Sequence, residues 1–385
     1  MIPLKYSLRN LRARWTNTLM IVFGIALVVW SSCLLFGLVE GLQHILKVSG
    51  DPLGLVVLRK GSTDETNGGY TEAQADDIAT LNGISRSDGS PLVAKEMVNI
   101  AIAERNEGTR TNLIIRGVSK ASPQLRPNFT ILPGGRMFEP GKGECVVSKS
   151  IARRFKNATL GSQLPLGDRE SYRVVGLFTA GGSAAESEVW VDFGDMARNL
   201  NRTGYVSTVR LRAASPADRD RIQKTINDNV QFKLDAKTEV EYYESQASAG
   251  LLFQVGGTLI AVLLTFGAMF AAANTMYAAV SSRTREIGTL RALGFSRFDI
   301  LISFLGEALI LCVMGGVLGL LATIPLSALT FSTALNFADA AVAFRFGPIV
   351  LTVATLMTLA MGLFGGLFPA VRAVRLDIVR ALREL

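Results

Sequence analysis

Four long runs without a charged residue constrain the fold of this 385-residue chain more than any other feature. They cover residues 15–39, 245–282, 308–338 and 346–371. Each run exceeds the roughly 20 residues that an α-helix needs to cross about 30 Å of hydrocarbon. The third run can begin earlier, near Ile300, and then carries Glu307 inside it. The first run is too long for a cleavable signal peptide, and no small-residue cleavage site follows it. We therefore predict four transmembrane helices.

Basic residues are concentrated beside these runs, which predicts the topology. The N-terminus, residues 283–299 and the C-terminus together hold twelve basic and four acidic residues, an excess equal to the net charge of +8 of the whole chain. The twelve are Lys5, Arg9, Arg12, Arg14, Arg283, Arg285, Arg291, Arg297, Arg372, Arg375, Arg380 and Arg383. The positive-inside rule places these three segments in the cytoplasm and residues 42–249 outside. The basic balance therefore indicates topology, and a nucleic-acid partner is not needed to explain it.

The inventory of reactive residues argues against an enzyme. His44 is the single histidine and there are three cysteines, so no metal site of the usual composition can be assembled. No G-x-S-x-G motif and no G-x-x-x-x-G-K-[ST] phosphate-binding motif occurs. The nearest match to the second, "RMFEPGKGE", has Arg136 where the first glycine belongs and Gly143 after the lysine. We predict no catalytic residue, no metal and no cofactor on this chain.

The segment between the first two runs alternates strand and helix patterns, which predicts a mixed α/β domain at 42–248. A helix at 71–81 has Thr71 and Gln74 placed for a capping box, and a helix at 215–230 has Ser215 as its N-cap. Residues 119–143 are rich in proline and glycine, which predicts an insertion. We predict two core halves, at about 50–118 and 205–245, separated by an inserted subdomain at about 119–204. Strands are predicted at 53–61, 97–104, 110–118, 144–148, 171–178, 187–192, 207–213 and, last, 238–243.

The segment "VSSRTREIGTLRALGFSRFDI" (280–300) reads as a rigid elbow between two spans. A helix can continue from the second run through Leu293, and Gly294 can adopt the positive φ that ends it. Ser296 and Asp299 then have capping-box spacing before the next apolar run. A partner protein that binds such a rigid elbow can displace it. The alternative is an ordinary positively charged cytoplasmic hairpin.

Several stretches of this sequence resemble FtsX-like and MacB-like ABC transporter permeases. The resemblance lies in "RTREIGTLRALGFSRFDIL", "FLGEALIL", "GGVLGLLA", the tail "PAVRAVRLDIVRALREL" and the N-terminal "SLRNLRARWTNTLMIVFGIALVVW". In the α/β domain, "GGRMF", "ECVVSKSIARRF", "LGSQLPLGDRESYRVVGLF" and "VWVDFGDM" resemble the MacB-type periplasmic core. The resemblance implies a membrane protein with four transmembrane helices and a large extracytoplasmic α/β domain of the MacB periplasmic-core type.

The resemblance also implies a role for the elbow as the coupling helix that docks on an ATPase. It assigns the contact to Arg283, Arg285, Glu286, Ile287, Gly288, Leu290, Arg291, Ala292 and Gly294. Since the chain has no phosphate-binding motif, the ATPase, with its ATP and Mg²⁺, is expected on a second polypeptide. A second permease chain, identical or different, is expected because four helices are few for a substrate pathway. A periplasmic adaptor, an outer-membrane channel and membrane lipid complete the expected partners.

The predicted layout places both termini in the cytoplasm of a bacterium and the large domain in the periplasm. In chain order it comprises an interfacial amphipathic helix at 1–15 (or a plain anchor), the first span at 16–41, the periplasmic domain at 42–248, the second span with a stalk at 249–282, the coupling segment at 283–299, the third span at 300–328, a short periplasmic loop at 329–346, the fourth span at 347–371 and a cytoplasmic tail at 372–385.

The resemblance leaves three functions open. A MacB-type exporter expels peptides, lipids or drugs through a tripartite assembly, a related permease extracts lipoproteins, and an FtsX-like regulator activates a cell-wall hydrolase. The size of the predicted outer segment favours the first two.

Glu307 has two interpretations as well. In the first, Glu307 contacts the elbow or a partner helix and helps to transmit motion. In the second, it only marks the water-accessible end of the third span. Close packing through Gly315, Gly316, Gly319, Gly362, Gly365 and Gly366 is expected among the spans.

Overall fold

The structure is a computed structural model that describes residues 15–126, 128–167, 170–325, 330–335 and 338–375. Contacts divide the chain into a helical unit, which takes in residues 1–41, 251–329 and 343–385, and an α/β unit, which takes in residues 42–250 and 330–342. The predicted interfacial helix at 1–15 lies outside the described residues except for Trp15, and so do the tail after Arg375 and parts of the loop at 329–346.

The elements are, in chain order, α1 (Trp15–Ser49), β1 (Gly54–Arg59), β2 (Tyr70–Thr71), α2 (Glu72–Ala79), β3 (Arg86–Ser87), β4 (Ser90–Pro91), β5 (Val93–Glu104), β6 (Arg110–Val118), a 3-10 turn (Ser122–Leu125), β7 (Phe129–Ile131), β8 (Glu144–Ser148), α3 (Lys149–Arg154), β9 (Gln163–Leu166), β10 (Glu170–Ala180), a second 3-10 turn (Ala184–Ser187), β11 (Glu188–Asp192), α4 (Phe193–Asn199), β12 (Tyr205–Val206), β13 (Thr208–Arg212), α5 (Pro216–Asp228), β14 (Leu234–Thr238), α6 (Glu239–Ser281), α7 (Thr284–Ala292), α8 (Arg297–Thr323), β15 (Thr330–Leu335), β16 (Ala338–Ala343) and α9 (Pro348–Val374).

Four of these helices are long and apolar enough to cross a membrane, as the sequence predicts. The candidate spans are Thr18–Ser49 in α1, Val255–Ala278 in α6, and the whole of α8 and α9. Their side chains are exposed where lipid would surround them; Met20 and Phe270, for example, are both 76% exposed. Helix α6 has 43 residues, which corresponds to a length of about 65 Å, so it extends well beyond one span.

Glycines bring the spans into close contact, as expected. A Cβ atom on Gly315 would lie 2.7 Å from the Cβ of Ile25, and one on Gly319 would lie 2.6 Å from the backbone oxygen of Ala26, both in α1. A Cβ on Gly316 would meet Oγ1 of Thr358 in α9. The glycines of α9 also face neighbouring spans: Gly362 faces Leu309, Gly366 faces Ala308, and Gly365 faces Ala272 at the longer Cβ distance of 3.2 Å.

Substituting Gly319 with alanine is expected to destabilise the helical unit by about 1–3 kcal/mol, because the new methyl group meets backbone atoms that cannot rotate away. Gly306 in the same helix is the matched control, since no atom lies within 4 Å of a Cβ built there. We expect Gly306→Ala to be neutral or slightly stabilising, because alanine favours helix. Thermal unfolding of the purified full chain measures both; equal melting temperatures for the two variants would contradict the packing described here.

The α/β unit is built on one mixed sheet of ten strands. Its order is β14-β1-β13-β5-β6-β11-β8-β10-β7, with β9 paired to β10. The β6–β11 and β8–β10 pairs are parallel, and the other pairs whose register is described are antiparallel. Strand β5 is long enough to pair with β13 near its start and with β6 along its later part.

The two largest hydrophobic clusters among the described residues lie along this sheet. The first packs β1, β13 and β14 against α2 and α5, with Ile78 and Ile226 fully buried. The second packs the later part of β5 and β6 with β8, β10 and β11 against α3 and α4, with Ile151 fully buried. The sequence places the subdomain boundary at 118/119. The cores divide within β5 instead, because the β5–β6 hairpin packs with the strands that follow it.

Local capping signals predict the helix starts. The capping box of Thr71 and Gln74 is present, and Ser215 caps α5 with Pro216 at the first helical position. The predicted last strand at 238–243 is wrong: β14 ends at Thr238 and α6 begins at Glu239. The reason is a further capping box, in which the Thr238 hydroxyl accepts from the backbone N–H of Glu241 and the Glu241 carboxylate accepts from the N–H of Thr238.

Strand β14 is an outer edge of the sheet, and helix α5 closes it. The side-chain amide of Asn227 donates to the backbone oxygen of Ala236 at 3.1 Å and accepts from the backbone N–H of Ala236 at 2.7 Å. Gln223 donates to the same oxygen at 3.1 Å. The backbone polar groups of Ala236 on the open side of this edge strand are thereby satisfied by side chains.

Candidate functional site

The elbow between α6 and α8 is a separate short helix. The predicted continuation of the second span through Leu293 is corrected by the structure, because α6 ends at Ser281 and α7 begins at Thr284. The turn between them bends at Arg283, whose φ of −118° and ψ of 15° are not helical. The residues assigned by resemblance therefore lie on this turn, on α7 and on the glycine turn that follows it.

Helix α7 buries one face and presents the other. Ile287 is 2% exposed, and it belongs to a cluster with Met276 and Val280 of α6 and with Phe304 of α8. Gly288 is buried beside it, and Leu290 and Arg291 are half-buried. Arg285, Glu286 and Ala292 are exposed. The helix is thus held by an apolar anchor, and the charged side chains of Arg285 and Glu286 are exposed on its outer face.

The turn after α7 is built as the sequence predicts. Gly294 has a φ of +96°, a conformation that favours glycine, and Ser296 and Asp299 form the capping box that starts α8. Sequence reasoning missed two residues beside this turn: Leu293 is 73% exposed and Phe298 is 66% exposed. Both are large apolar residues inside a basic segment, and that contrast is the signal that could have identified them.

Glu307 contacts the elbow. Its Oε2 accepts a hydrogen bond from Arg283 Nη1 at 3.1 Å, and both residues are 7% exposed. Nε of Arg283 also lies 3.8 Å from a carboxylate oxygen of Glu286. The Arg283–Glu307 ion pair is the contact that is required if Glu307 transmits motion from the elbow. The transmission itself stays a prediction.

The far end of α7 is tied to the end of the last span. Nη1 of Arg291 donates to the backbone oxygen of Val374 at 3.4 Å, and the guanidinium of Arg372 lies over the ring of Tyr277 at 5.6 Å. Together with the Arg283–Glu307 pair, the Arg291 contact connects α7 to α8 and α9, and the contact of Arg372 with Tyr277 connects α9 to α6. A displacement of α7 is therefore expected to move α8 and α9 as well.

The α/β unit contains a second notable constellation, which sequence reasoning missed. Seven charged residues, each less than 9% exposed, form a connected network that we call the buried charge cluster. Its members are Glu65, Glu96, Arg116, Arg126, Glu188, Arg210 and Glu239. Four carboxylates face three guanidinium groups, so the cluster carries one excess negative charge when every group is ionised.

Arg116 is the centre of the cluster. Its guanidinium donates to three carboxylates, those of Glu65, Glu96 and Glu188, at 2.7–2.8 Å. Both oxygens of Glu96 accept from Arg126 as well. The guanidinium of Arg126 lies 5.3 Å from the ring centroid of Trp190, whose indole N–H donates to Glu188 at 2.9 Å. The polar groups of the cluster are thus paired, as buried charges must be.

The cluster shifts the pKa values of its members in two directions. Burial alone would raise the pKa of Glu65, but Arg116 and Arg210 outweigh burial and lower this pKa to about 2. The pKa of Glu96 is likewise well below its usual range, because Arg126 and Arg116 outweigh its burial. Burial dominates at Glu239 and raises its pKa, although Arg210 opposes this effect. Glu239 therefore takes up a proton at a higher pH than Glu65 or Glu96.

Two family models match this chain. The MacB-like periplasmic core domain matches residues 18–229, and the FtsX-like permease C-terminal domain matches residues 258–378. Neither model takes in residues 230–257, so together they cover most of the α/β unit and nearly all of the four candidate spans.

Curated relatives match over most of the chain at low identity. A macrolide export ATP-binding/permease protein MacB from Bdellovibrio bacteriovorus is 24% identical over 94% of this chain and 58% of the relative. Another MacB, from Sodalis glossinidius, is 27% identical over 98% of this chain and 60% of the relative. The chain therefore spans about 60% of the length of these relatives.

Two solved structures are each similar to about half of this chain. The extracellular domain of the transporter YknZ from Gram-positive bacteria is 19% identical over 48% of this chain and 99% of that one, with a TM-score of 0.37. The periplasmic region of MacB from Actinobacillus actinomycetemcomitans is 9% identical over 53% of this chain and 96% of that one, with a TM-score of 0.39.

Proposed function

The chain belongs to the family of MacB-like and FtsX-like ABC transporter permeases, and from this premise we propose that it is a permease subunit driven by an ATPase on a second polypeptide. ATP hydrolysis by that partner moves α7, and the movement passes to the α/β domain on the other side of the membrane. The output is export of a peptide, a lipid or a drug-like molecule through an assembly with an adaptor and an outer-membrane channel.

The construction of α7 is the observation that carries this proposal. A helix with a buried apolar anchor at Ile287 and an exposed charged face at Arg285 and Glu286 suits a contact that must transmit force without slipping. Leu293 and Phe298 supply exposed apolar area beside that face. Under this proposal the ATP and the Mg²⁺ belong to the partner ATPase; the 385 residues contain no phosphate-binding motif.

The charge distribution supports the proposed orientation. The elbow and both ends of the chain carry the basic excess, which under the positive-inside rule favours a cytoplasmic location for them and a periplasmic location for the α/β domain. Helix α6 also supports an assembly of two permease chains. Its large apolar side chains, such as Leu259 and Phe270, are exposed along the candidate span, so the helix has a face for a second chain or for lipid.

Reversing the charge of the outer face of α7 is expected to weaken binding of the ATPase at least tenfold, which corresponds to about 1.4 kcal/mol. The variants are Arg285→Glu and Glu286→Lys, both at exposed positions. Glu286→Lys also removes the 3.8 Å contact with Arg283, so its folding is checked by thermal unfolding before binding is compared. The measurement is co-purification with an ABC ATPase encoded beside the permease, followed by ATP hydrolysis of the complex in nanodiscs.

Glu107→Lys is the matched control, because Glu107 is an exposed acid in the turn between β5 and β6 of the α/β unit. We expect this variant to bind the ATPase as the unchanged chain does. Unaltered binding and hydrolysis in both α7 variants would exclude α7 as the docking element, and failure of the unchanged chain to bind any such ATPase would exclude the proposed function.

A further inference from the structure

Glu239 differs from the rest of the buried charge cluster because it belongs to a long helix. It is the first residue of α6, whereas the other six members lie on strands or on loops of the α/β unit. Its Oε1 accepts from Nη1 of Arg210 on β13 at 3.0 Å. Its Oε2 accepts from the backbone N–H of Asp51 at 2.8 Å. One carboxylate thus joins three segments of the chain.

Asp51 lies where the chain passes from α1 into the sheet. Helix α1 ends at Ser49, so Asp51 lies on the first residues that leave α1 and enter the sheet. The chain enters the α/β domain through α1 and leaves it through α6. The carboxylate of Glu239 therefore holds the exit of one membrane helix to the start of the next, and both to β13.

The surroundings of Glu239 leave it little room to move. It is 3% exposed, and a Cβ atom on the neighbouring Gly54 would lie only 2.7 Å from its carboxyl carbon. Its partner Arg210 is 2% exposed and is held from other sides, by Glu65 at 3.0 Å and by the hydroxyl of Tyr243 at 3.3 Å. A shift of the start of α6 must therefore either carry Arg210 and the sheet with it or break this ion pair.

We propose that Glu239 is a positioning residue that fixes the ends of α1 and α6 to the sheet, so that movement of these helices is carried into the α/β domain. This inference rests on the proposed function, because it names the residue through which ATP-driven movement reaches that domain. The role differs from simple stabilisation of the sheet, since the six other members of the cluster connect the sheet without Glu239.

The first test needs no nucleotide and measures amide hydrogen exchange in the full chain in nanodiscs. Glu239→Ala removes both contacts, and we expect exchange at Asp51 and over residues 242–246 to become at least tenfold faster. Glu239→Gln keeps an oxygen for the Asp51 N–H but loses the charge that faces Arg210. We therefore expect faster exchange at 242–246 and a smaller change at Asp51. Glu244→Gln, an exposed acid on the same helix, should match the unchanged chain.

The second test adds the ATPase and compares exchange over residues 205–238 with and without ATP. We expect ATP to alter exchange there in the unchanged chain and in Glu244→Gln. In Glu239→Gln that change should fall to less than half, while ATP hydrolysis and the fluorescence of the buried Trp190 stay unchanged. A sheet that was merely destabilised would instead show altered Trp190 fluorescence.

The outcomes separate this inference from the proposed function. An equal ATP-driven change in the unchanged chain and in Glu239→Gln would overturn the positioning role and leave the proposed function standing. If ATP changes nothing even in the unchanged chain, the proposed function fails, and the first test alone decides: exchange in Glu239→Ala equal to that of the unchanged chain overturns the positioning role, and faster exchange supports it.

Discussion

Replacing Arg116 with methionine is expected to lower the free energy of unfolding of the α/β unit by about 3–5 kcal/mol, the cost typical of removing one partner from a buried ion network. Methionine retains much of the side-chain volume, but it leaves the carboxylates of Glu65 and Glu188 without their shortest ion pair. Such an effect is a large part of the 5–15 kcal/mol that usually stabilises a folded domain. We therefore expect low expression and rapid proteolysis.

Guanidinium titration of the full chain measures this effect through the fluorescence of Trp190, with Trp15 and Trp30 replaced by phenylalanine. Arg110→Met is the matched control, because Arg110 lies on the same strand β6 but is exposed. Its effect should stay within about 0.5 kcal/mol, as is usual for surface substitutions. Similar unfolding midpoints for the two variants would mean that the buried charge cluster does not stabilise the domain.

Replacing Arg283 with glutamine is expected to destabilise the helical unit by about 2–4 kcal/mol, because Glu307 loses its buried charged partner. Glu307→Gln should cost less, since Arg283 still has Glu286 at 3.8 Å. It should also express normally while lowering the ATP-driven output. The double variant Arg283→Gln/Glu307→Gln is expected to be more stable than Arg283→Gln alone, because it leaves no unpaired charge.

Thermal unfolding in nanodiscs for the two single variants and the double variant gives the coupling energy of the pair. Arg285→Gln, on the exposed face of α7, serves as the control for loss of a positive charge in the elbow. Strictly additive effects would show that the two side chains do not interact, and the transmission interpretation of Glu307 would then lose its support.

The features that the sequence predicts correctly depend on local signals. A run of apolar residues predicts a span, and a capping box such as that of Ser296 and Asp299 predicts a helix start, because each rests on neighbours within a few residues. The start of α6 obeys the same rule, because Thr238 and Glu241 have capping-box spacing, and this local signal outweighs the strand pattern of 238–243.

Features that depend on contacts between residues far apart in the sequence could not be predicted from it. Glu65 and Arg210 are separated by 145 positions, and nothing near either residue indicates that they pair. Charged residues within strands, such as Glu96 and Arg116, would ordinarily face solvent on one side of a sheet. The turn at Arg283, which interrupts the predicted long helix, likewise comes with an ion pair to Glu307, 24 positions away.

The closed edge at β14 has a consequence for a protein that works beside others in a crowded membrane. An open strand edge is a template on which a strand from another molecule can add, and this is a common start of aggregation. Asn227 takes up both backbone groups of Ala236 that such a strand would need at that position. A strand from a neighbouring molecule therefore meets no free backbone group of Ala236 with which it could pair.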